Sequence, residues 1–161
     1  MSVGLVTPGR FQVGSFQVNN ANANSGNLRT AAVTATGRAI PVCETVTLIL
    51  STTALTADAN ARLFVYLEHS WDGGTTWAVA EAFLVVSTST DVQNITFHPT
   101  GTGQNEAAVR TSITTGTAAT IAQNVVLAPD QRIAWIISGN AGVGPTATFT
   151  VNAITQPIRG T

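Results

Sequence analysis

Ala147-Thr148-Phe149-Thr150-Val151-Asn152-Ala153 alternates without interruption between small or apolar and polar residues. Successive side chains of an extended strand point to opposite faces. This period of two therefore puts Ala147, Phe149, Val151 and Ala153 on one face and Thr148, Thr150 and Asn152 on the other. Outward from this stretch the same period recurs. Val46, Leu48 and Leu50 share a face opposite Thr45, Thr47 and Ser51; Ile133, Trp135 and Ile137 share one within 131–138. Residues 62–69 place Leu63, Val65 and Leu67 on one side and Phe64 and Tyr66 on the other, so that strand is apolar on both faces. Segments 11–18, 77–86, 92–98, 108–113 and 121–127 are further candidates, and helical periodicity is nearly absent.

About eight or nine short strands, separated by Gly, Asn, Ser and Pro clusters with no helices between them, indicate an all-β protein. The expected architecture is an antiparallel β-sandwich of jelly-roll type. An immunoglobulin-like sandwich is the alternative, although its Cys…Trp…Cys marker is missing. Residues 29–161 form the expected sandwich domain. Residues 1–28 form an extended N-terminal arm, or a first strand, followed by an Asn-rich linker. Phe11, Val13, Phe16 and Val18 lie at near-alternate positions, which suits either a strand added to a neighbour's sheet or an ordinary first strand of this one. Asn19-Asn20-Ala21-Asn22-Ala23-Asn24-Ser25-Gly26-Asn27 then reads as a tether. Residues 100–106 read as a second loop.

With 161 residues the chain can bury a core without disulfides or metals. Charged residues make up 9%, against about 25% in ordinary proteins. The longest apolar run, 78–86, is broken by Glu81, and a spanning helix needs about 20 apolar residues, so no membrane segment is expected. The first eight residues lack the basic start and apolar block of a secretory signal. The surface is instead covered by Thr, which occurs 26 times and favours half-exposed strands, together with Ser, Asn and Gln. There is no Lys; the seven basic residues are all Arg, scattered along the chain, and the net charge is −1. That pattern argues against a nucleic-acid or anionic-membrane partner. It suits a surface that rests against protein, where Lys is depleted and Arg retained.

Ser70-Trp71-Asp72-Gly73-Gly74-Thr75-Thr76-Trp77 joins two strong strand candidates and should form a hairpin turn. Ser70 and Asp72 can accept backbone N–H groups of the turn, Gly73 and Gly74 can take positive φ, and Trp77 can pack beneath the loop. These five residues are read as a folding element. Trp71, at the tip, is available to stack on a sugar or anchor a protein, or it folds back on its hairpin. Phe64 and Tyr66 join Trp71, Phe11, Val13, Phe16 and Val18 as candidate interface residues.

Enzyme chemistry lacks an assembled set of residues, and no catalytic residue or cofactor is expected. Phosphate-loop chemistry needs a Lys; Gly139-Asn140-Ala141-Gly142-Val143-Gly144 leads into strand and is read as a turn. Cys43, His69 and His98 show no metal-ligand spacing, and Cys43 reads as a small buried hydrophobe. Glu68, Asp72 and Glu81 could supply paired carboxylates, but Glu68 and Asp72 flank the hairpin. Asn94-Ile95-Thr96 matches a glycosylation sequon.

Two segments also carry a resemblance. Residues 63–77, Leu-Phe-Val-Tyr-Leu-Glu-His-Ser-Trp-Asp-Gly-Gly-Thr-Thr-Trp, are similar to a strand–SxDGGTTW–strand hairpin common in virion proteins of tailed bacteriophages; the turn itself resembles the Asp-box hairpin. Residues 125–135, Val-Val-Leu-Ala-Pro-Asp-Gln-Arg-Ile-Ala-Trp, are similar to a V-x-L-x-P-G-x-x-I corner of trimeric jelly rolls, with Asp130 where Gly is commoner. The resemblance implies a head-decoration (cement) protein: a homotrimer bound to the major capsid protein or another virion protein. Such a protein would be made in the host cytoplasm and seated on the phage head surface. A tail, baseplate or fibre module and a carbohydrate-binding module or adhesin are the other readings; for a glycan binder, the supply of exposed aromatics is thin.

Overall fold

The computed structural model describes residues 9–19, 23–24, 39–41, 43–56, 60–98, 107–112, 118–122, 126–139 and 144–157. The expected loop at 100–106, residues 1–8 of the expected arm and residues 140–143 of the Gly-rich turn lie outside them. Among the described residues there are ten strands and no helix: β1 (Gly9–Asn19), β2 (Ala23–Asn24), β3 (Thr45–Thr56), β4 (Arg62–Ser70), β5 (Ala78–Ala82), β6 (Asp91–Phe97), β7 (Ala107–Ser112), β8 (Ala118–Ala122), β9 (Asp130–Ser138) and β10 (Thr146–Gln156). They form a six-stranded sheet, β1-β10-β3-β6-β7-β8, and a four-stranded sheet, β2-β9-β4-β5.

The topology is that of one long antiparallel ribbon rolled up on itself. From the β4–β5 hairpin outward, β4 pairs β5, β3 pairs β6, β2 pairs β9 and β1 pairs β10. Rolling then adds the β3–β10 and β4–β9 pairings. Such a ribbon, wound into two packed sheets, is a jelly roll. The β7–β8 hairpin, between β6 and β9 in sequence, widens the first sheet.

β10 explains why its alternation is so regular. It runs between β1 and β3, and its inward residues Ala147, Phe149, Val151 and Ala153 are each at most 1% exposed. Its two neighbours carry the irregularities. In β1 the register slips between Gln12 and Gly14, so Val13 is an extra residue and the inward set changes from odd (Phe11, Val13) to even (Gly14, Phe16, Val18). In β3 the slip at Thr53 does the same, from Val46, Leu48, Leu50 and Thr52 to Leu55.

The pairing of β1 with β10 bears on the two readings of residues 11–18. They are the first strand of this sandwich rather than an arm reaching outside it. The side-chain burial gives the physical reason. Val13 and Val18 lie in the core, and the Phe16 ring sits 5.0 Å from that of Trp135 and 5.1 Å from that of Phe149. Trp135 and Phe149 meet edge-on at 5.8 Å, so the three rings join β1 and β10 to β9 across the sandwich. Part of the expected tether is also strand, since Ala23 and Asn24 pair with Trp135 and Ala134.

The four-stranded sheet contributes Leu63, Val65, Leu67, Ile133, Trp135 and Ile137 to the core, as the alternation predicts. At the corner before β9, Gln131 is buried and clamps two loops: its Nε2 donates to Ile40 O (3.1 Å) and Ala128 O (3.2 Å), and its Oε1 accepts from Ile40 N (2.9 Å). Asp130 is already extended there, paired with Ser70, so the position needs no glycine.

Candidate functional site

The hairpin between β4 and β5 closes on its own side chains. Ser70 is the buried last residue of β4, and its hydroxyl donates to Asp72 Oδ1 (2.6 Å) while accepting from Gly74 N (2.9 Å). Asp72 Oδ1 also accepts from Thr75 N (3.1 Å) and Thr76 N (2.8 Å), and Oδ2 takes a short bond from the Thr76 hydroxyl. The chain can turn this tightly because Gly73 (φ 72°) and Gly74 (φ 90°) occupy the left-handed region that a Cβ disfavours. Trp77 closes the loop by donating its indole N–H to Gly74 O at 2.8 Å. The Ser70 and Thr76 hydroxyls and the Thr75 and Thr76 N–H groups hold the Asp72 carboxyl far below its usual range. Asp72 is therefore an anion occupied with capping a turn.

Beneath the tip the hairpin is braced from β9. The Arg132 guanidinium lies 4.3 Å from the centre of the Trp77 ring, and its Nε bonds Glu68 Oε2 at 2.6 Å. His69 Nδ1 accepts from Ala128 N at 3.2 Å, which makes the imidazole an acceptor, and burial lowers its pKa. Trp71 is 65% exposed and meets the His69 ring edge-on at 6.1 Å. It projects from the tip instead of folding under it.

The structure distributes the remaining candidates. Of the proposed interface set, Val13 and Val18 line the core, and Phe11 and Phe16 pack against it, so β1 supplies no exposed apolar face. The sequence left these four open between an outside contact and a first strand, because their near-alternate spacing hides a bulge. Phe64 and Tyr66 do lie on the outer face of the four-stranded sheet, half-buried, opposite Ile136 and Ala134 of β9. Tyr66 also opposes Ala82, and Glu68 opposes the exposed Val79 of β5. Sequence reasoning missed Ile136 and Val79. The Ile136-Ile137 pair was the available signal, because adjacent large apolar residues in a strand must face opposite ways.

The chemistry-bearing residues do not converge. Glu68 faces outward with Arg132, Asp72 caps the turn, and Glu81 is buried on the inner side of β5. Cys43 is buried in the core, its thiol pushed up to about 11 by burial. His98 Nδ1 lies 3.5 Å from the Thr45 hydroxyl, and His69 bonds the Ala128 backbone. Among the described residues no group of three or more His, Cys, Asp or Glu could hold a metal ion. What the geometry offers is a rigid hairpin with an exposed Trp and, beside it, an apolar sheet face.

No protein-family model matches the sequence, and no curated protein is similar to it. Among solved structures, the cryo-EM structure of broad bean stain virus is similar over 100% of this chain and 97% of that chain, with 15% identity and a TM-score of 0.47.

Proposed function

We propose that this chain is a non-enzymatic structural protein of a virion, specifically a decoration (cement) protein that binds the head of a tailed bacteriophage as a homotrimer. The observation that carries this reading is the position of the phage-like SxDGGTTW hairpin. It is the fold point of the rolled ribbon, self-capped by Ser70 and Asp72, with β4 and β5 running out from it. The resemblance thus extends from a string of residues to the element around which the domain is wound.

The surface fits a life in an assembly. With 9% charged residues and a net charge of −1, the chain has little electrostatic repulsion to keep copies apart. The residues a hydrolase would need are spent on structure: Asp72 on the turn, Glu68 on Arg132, and His69 on the Ala128 backbone. A tail, baseplate or fibre module shares these features. The head is favoured by what the resemblance of residues 63–77 and 125–135 implies, a decoration protein. A carbohydrate-binding module draws support from Trp71 alone among the hairpin aromatics, since Trp77 is covered by Arg132.

The test is co-sedimentation of the purified chain with phage heads that lack it. Saturable binding at a fixed number of copies per head, with heads made more resistant to heat, supports decoration. Binding to tails alone, or to glycans and not to particles, overturns it.

A further inference from the structure

The hairpin is tied to the corner before β9 through one buried residue, Ala128. Its N–H donates to His69 Nδ1 at 3.2 Å, and its carbonyl accepts from Gln131 Nε2 at 3.2 Å. A ring nitrogen accepts only while it carries no proton, so this bond requires a neutral His69 with its proton on Nε2. The same ring meets Trp71 edge-on at 6.1 Å, and Trp71 is exposed enough to reorient. One imidazole therefore stands between a buried backbone donor and the exposed aromatic of the hairpin tip.

We propose that His69 is a pH-sensitive latch: its neutral ring holds the Ala128 corner, and its protonated ring releases the corner and turns to the face of Trp71. The chemistry of the ring dictates both states. An imidazolium carries a hydrogen on each nitrogen and accepts nothing. The Ala128 N–H would then point at a second N–H, and a buried donor without an acceptor is costly, so the contact opens. The cation gains elsewhere, because a positive charge is attracted to the face of an indole, and Trp71 is the ring beside it. The latch stands on this geometry alone and does not depend on the decoration role.

The groups around His69 keep the latch closed at neutral pH. On its own strand Glu68 pairs with Arg132 of β9. On the hairpin the Asp72 carboxylate is taken up by the Ser70 and Thr76 hydroxyls and the Thr75 and Thr76 N–H groups. β5 sets Ala78 opposite His69, and β9 sets Gln131 opposite it, between Asp130 and Arg132. Val126, Leu127 and Ala128 of the corner carry no titratable side chain. The ring's hydrogen bond is thus to a backbone N–H instead of a carboxylate, and burial lowers its pKa from 6.5. The closed latch prefers the neutral ring, so it is complete above 6.5 and opens as pH falls below that value. By linkage the open fraction grows by up to about tenfold per pH unit until the pKa of the closed form is reached.

Nuclear magnetic resonance of the full chain tests the latch. At about pH 8, long-range proton–nitrogen correlation spectra should show His69 as the Nε2–H tautomer. As pH falls below 6.5, the Ala128 amide should lose protection against hydrogen exchange, measured relative to the unfolded-chain rate, by up to about tenfold per pH unit. The Trp71 indole resonance should shift with the same midpoint as the His69 ring. His69→Gln offers an amide oxygen to the Ala128 N–H and does not titrate, so Ala128 protection and the Trp71 resonance should stay flat. His98→Gln should keep both transitions. An Nδ1–H tautomer overturns the latch, as does Ala128 protection that ignores pH, or a Trp71 shift that persists in His69→Gln. If His69→Gln misfolds, the tautomer and the shared midpoint in the wild type still decide.

Discussion

Replacing Trp135 tests the packing that joins the two sheets, and two substitutions together make the test sharp. Trp135 is 9% exposed and lies against Phe16 and Phe149 at 5.0 and 5.8 Å. Its indole N–H is buried with no acceptor among the described residues. Trp135→Ala empties the space of an indole in a cluster fixed by two strands of the opposite sheet, a change that costs about 3–5 kcal/mol. Removing a buried unpaired donor returns about 1 kcal/mol of that. The net loss is about 2–4 kcal/mol, or a Tm lower by roughly 5–15 °C for a chain of this length. Trp135→Phe keeps a ring against both partners and removes the same N–H. The lost volume, about 40 Å³ at about 24 cal/mol per Å³, costs about 1 kcal/mol and is offset by the donor removed. Urea unfolding followed by circular dichroism should place Trp135→Phe within about 1 kcal/mol of wild type. An unchanged Tm for Trp135→Ala would refute the inward register of β9. A Trp135→Phe as damaging as Trp135→Ala would refute the orphan N–H.

Further outcomes follow from the hairpin and the bulge. Asp72→Ala should lower Tm more than Asp72→Asn, because only the amide keeps an oxygen for the Thr75 and Thr76 N–H groups; equal Tm values would show that the cap contributes nothing. The Asp72 pKa is lowered on folding, so its stabilisation is complete above the ordinary value of 3.8 and is lost as pH falls below it; Asp72→Asn should flatten that acid limb in a Tm-versus-pH series. His69 also titrates lower when folded, so the unfolded chain binds the extra proton and stability falls as pH drops through 6.5; His69→Gln should remove that slope. Gly14→Ala drives a Cβ into the Phe16 ring and should cost about 1–3 kcal/mol in urea unfolding, whereas Gly73→Ala meets no atom and should cost only the left-handed strain, about 1–2 kcal/mol.

Eight of the nine strand segments legible in the sequence coincide with a strand, because half-buried sheets write their burial directly as a period of two; the ninth, 121–127, meets only the last two residues of β8 and then leaves the described residues. What the period could not show lies where it breaks. The β1 bulge turns an odd inward set into an even one, so residues 11–18 looked irregular enough to be an arm. The slip at Thr53 hid the second half of β3. β2 is only Ala23 and Asn24, with no apolar contrast to read, and β8 begins at Ala118, where Ala and Thr alternate with little contrast in hydropathy. The hairpin was legible almost atom by atom because its bonds span only two to four residues. The sheet face was half legible: Phe64 and Tyr66 announced it, but Ile136 and Val79 join them only through the β4–β9 and β4–β5 registers. Those pairings are long-range or bulged, and a local pattern does not encode them.

The most direct test of the structural role is a cryo-EM map of the particle built by the genome that encodes this chain. The account predicts jelly-roll density on the outside of the head, in threefold clusters at symmetry-related positions. Density for this chain confined to the tail, or a particle that contains none of it, would contradict the account.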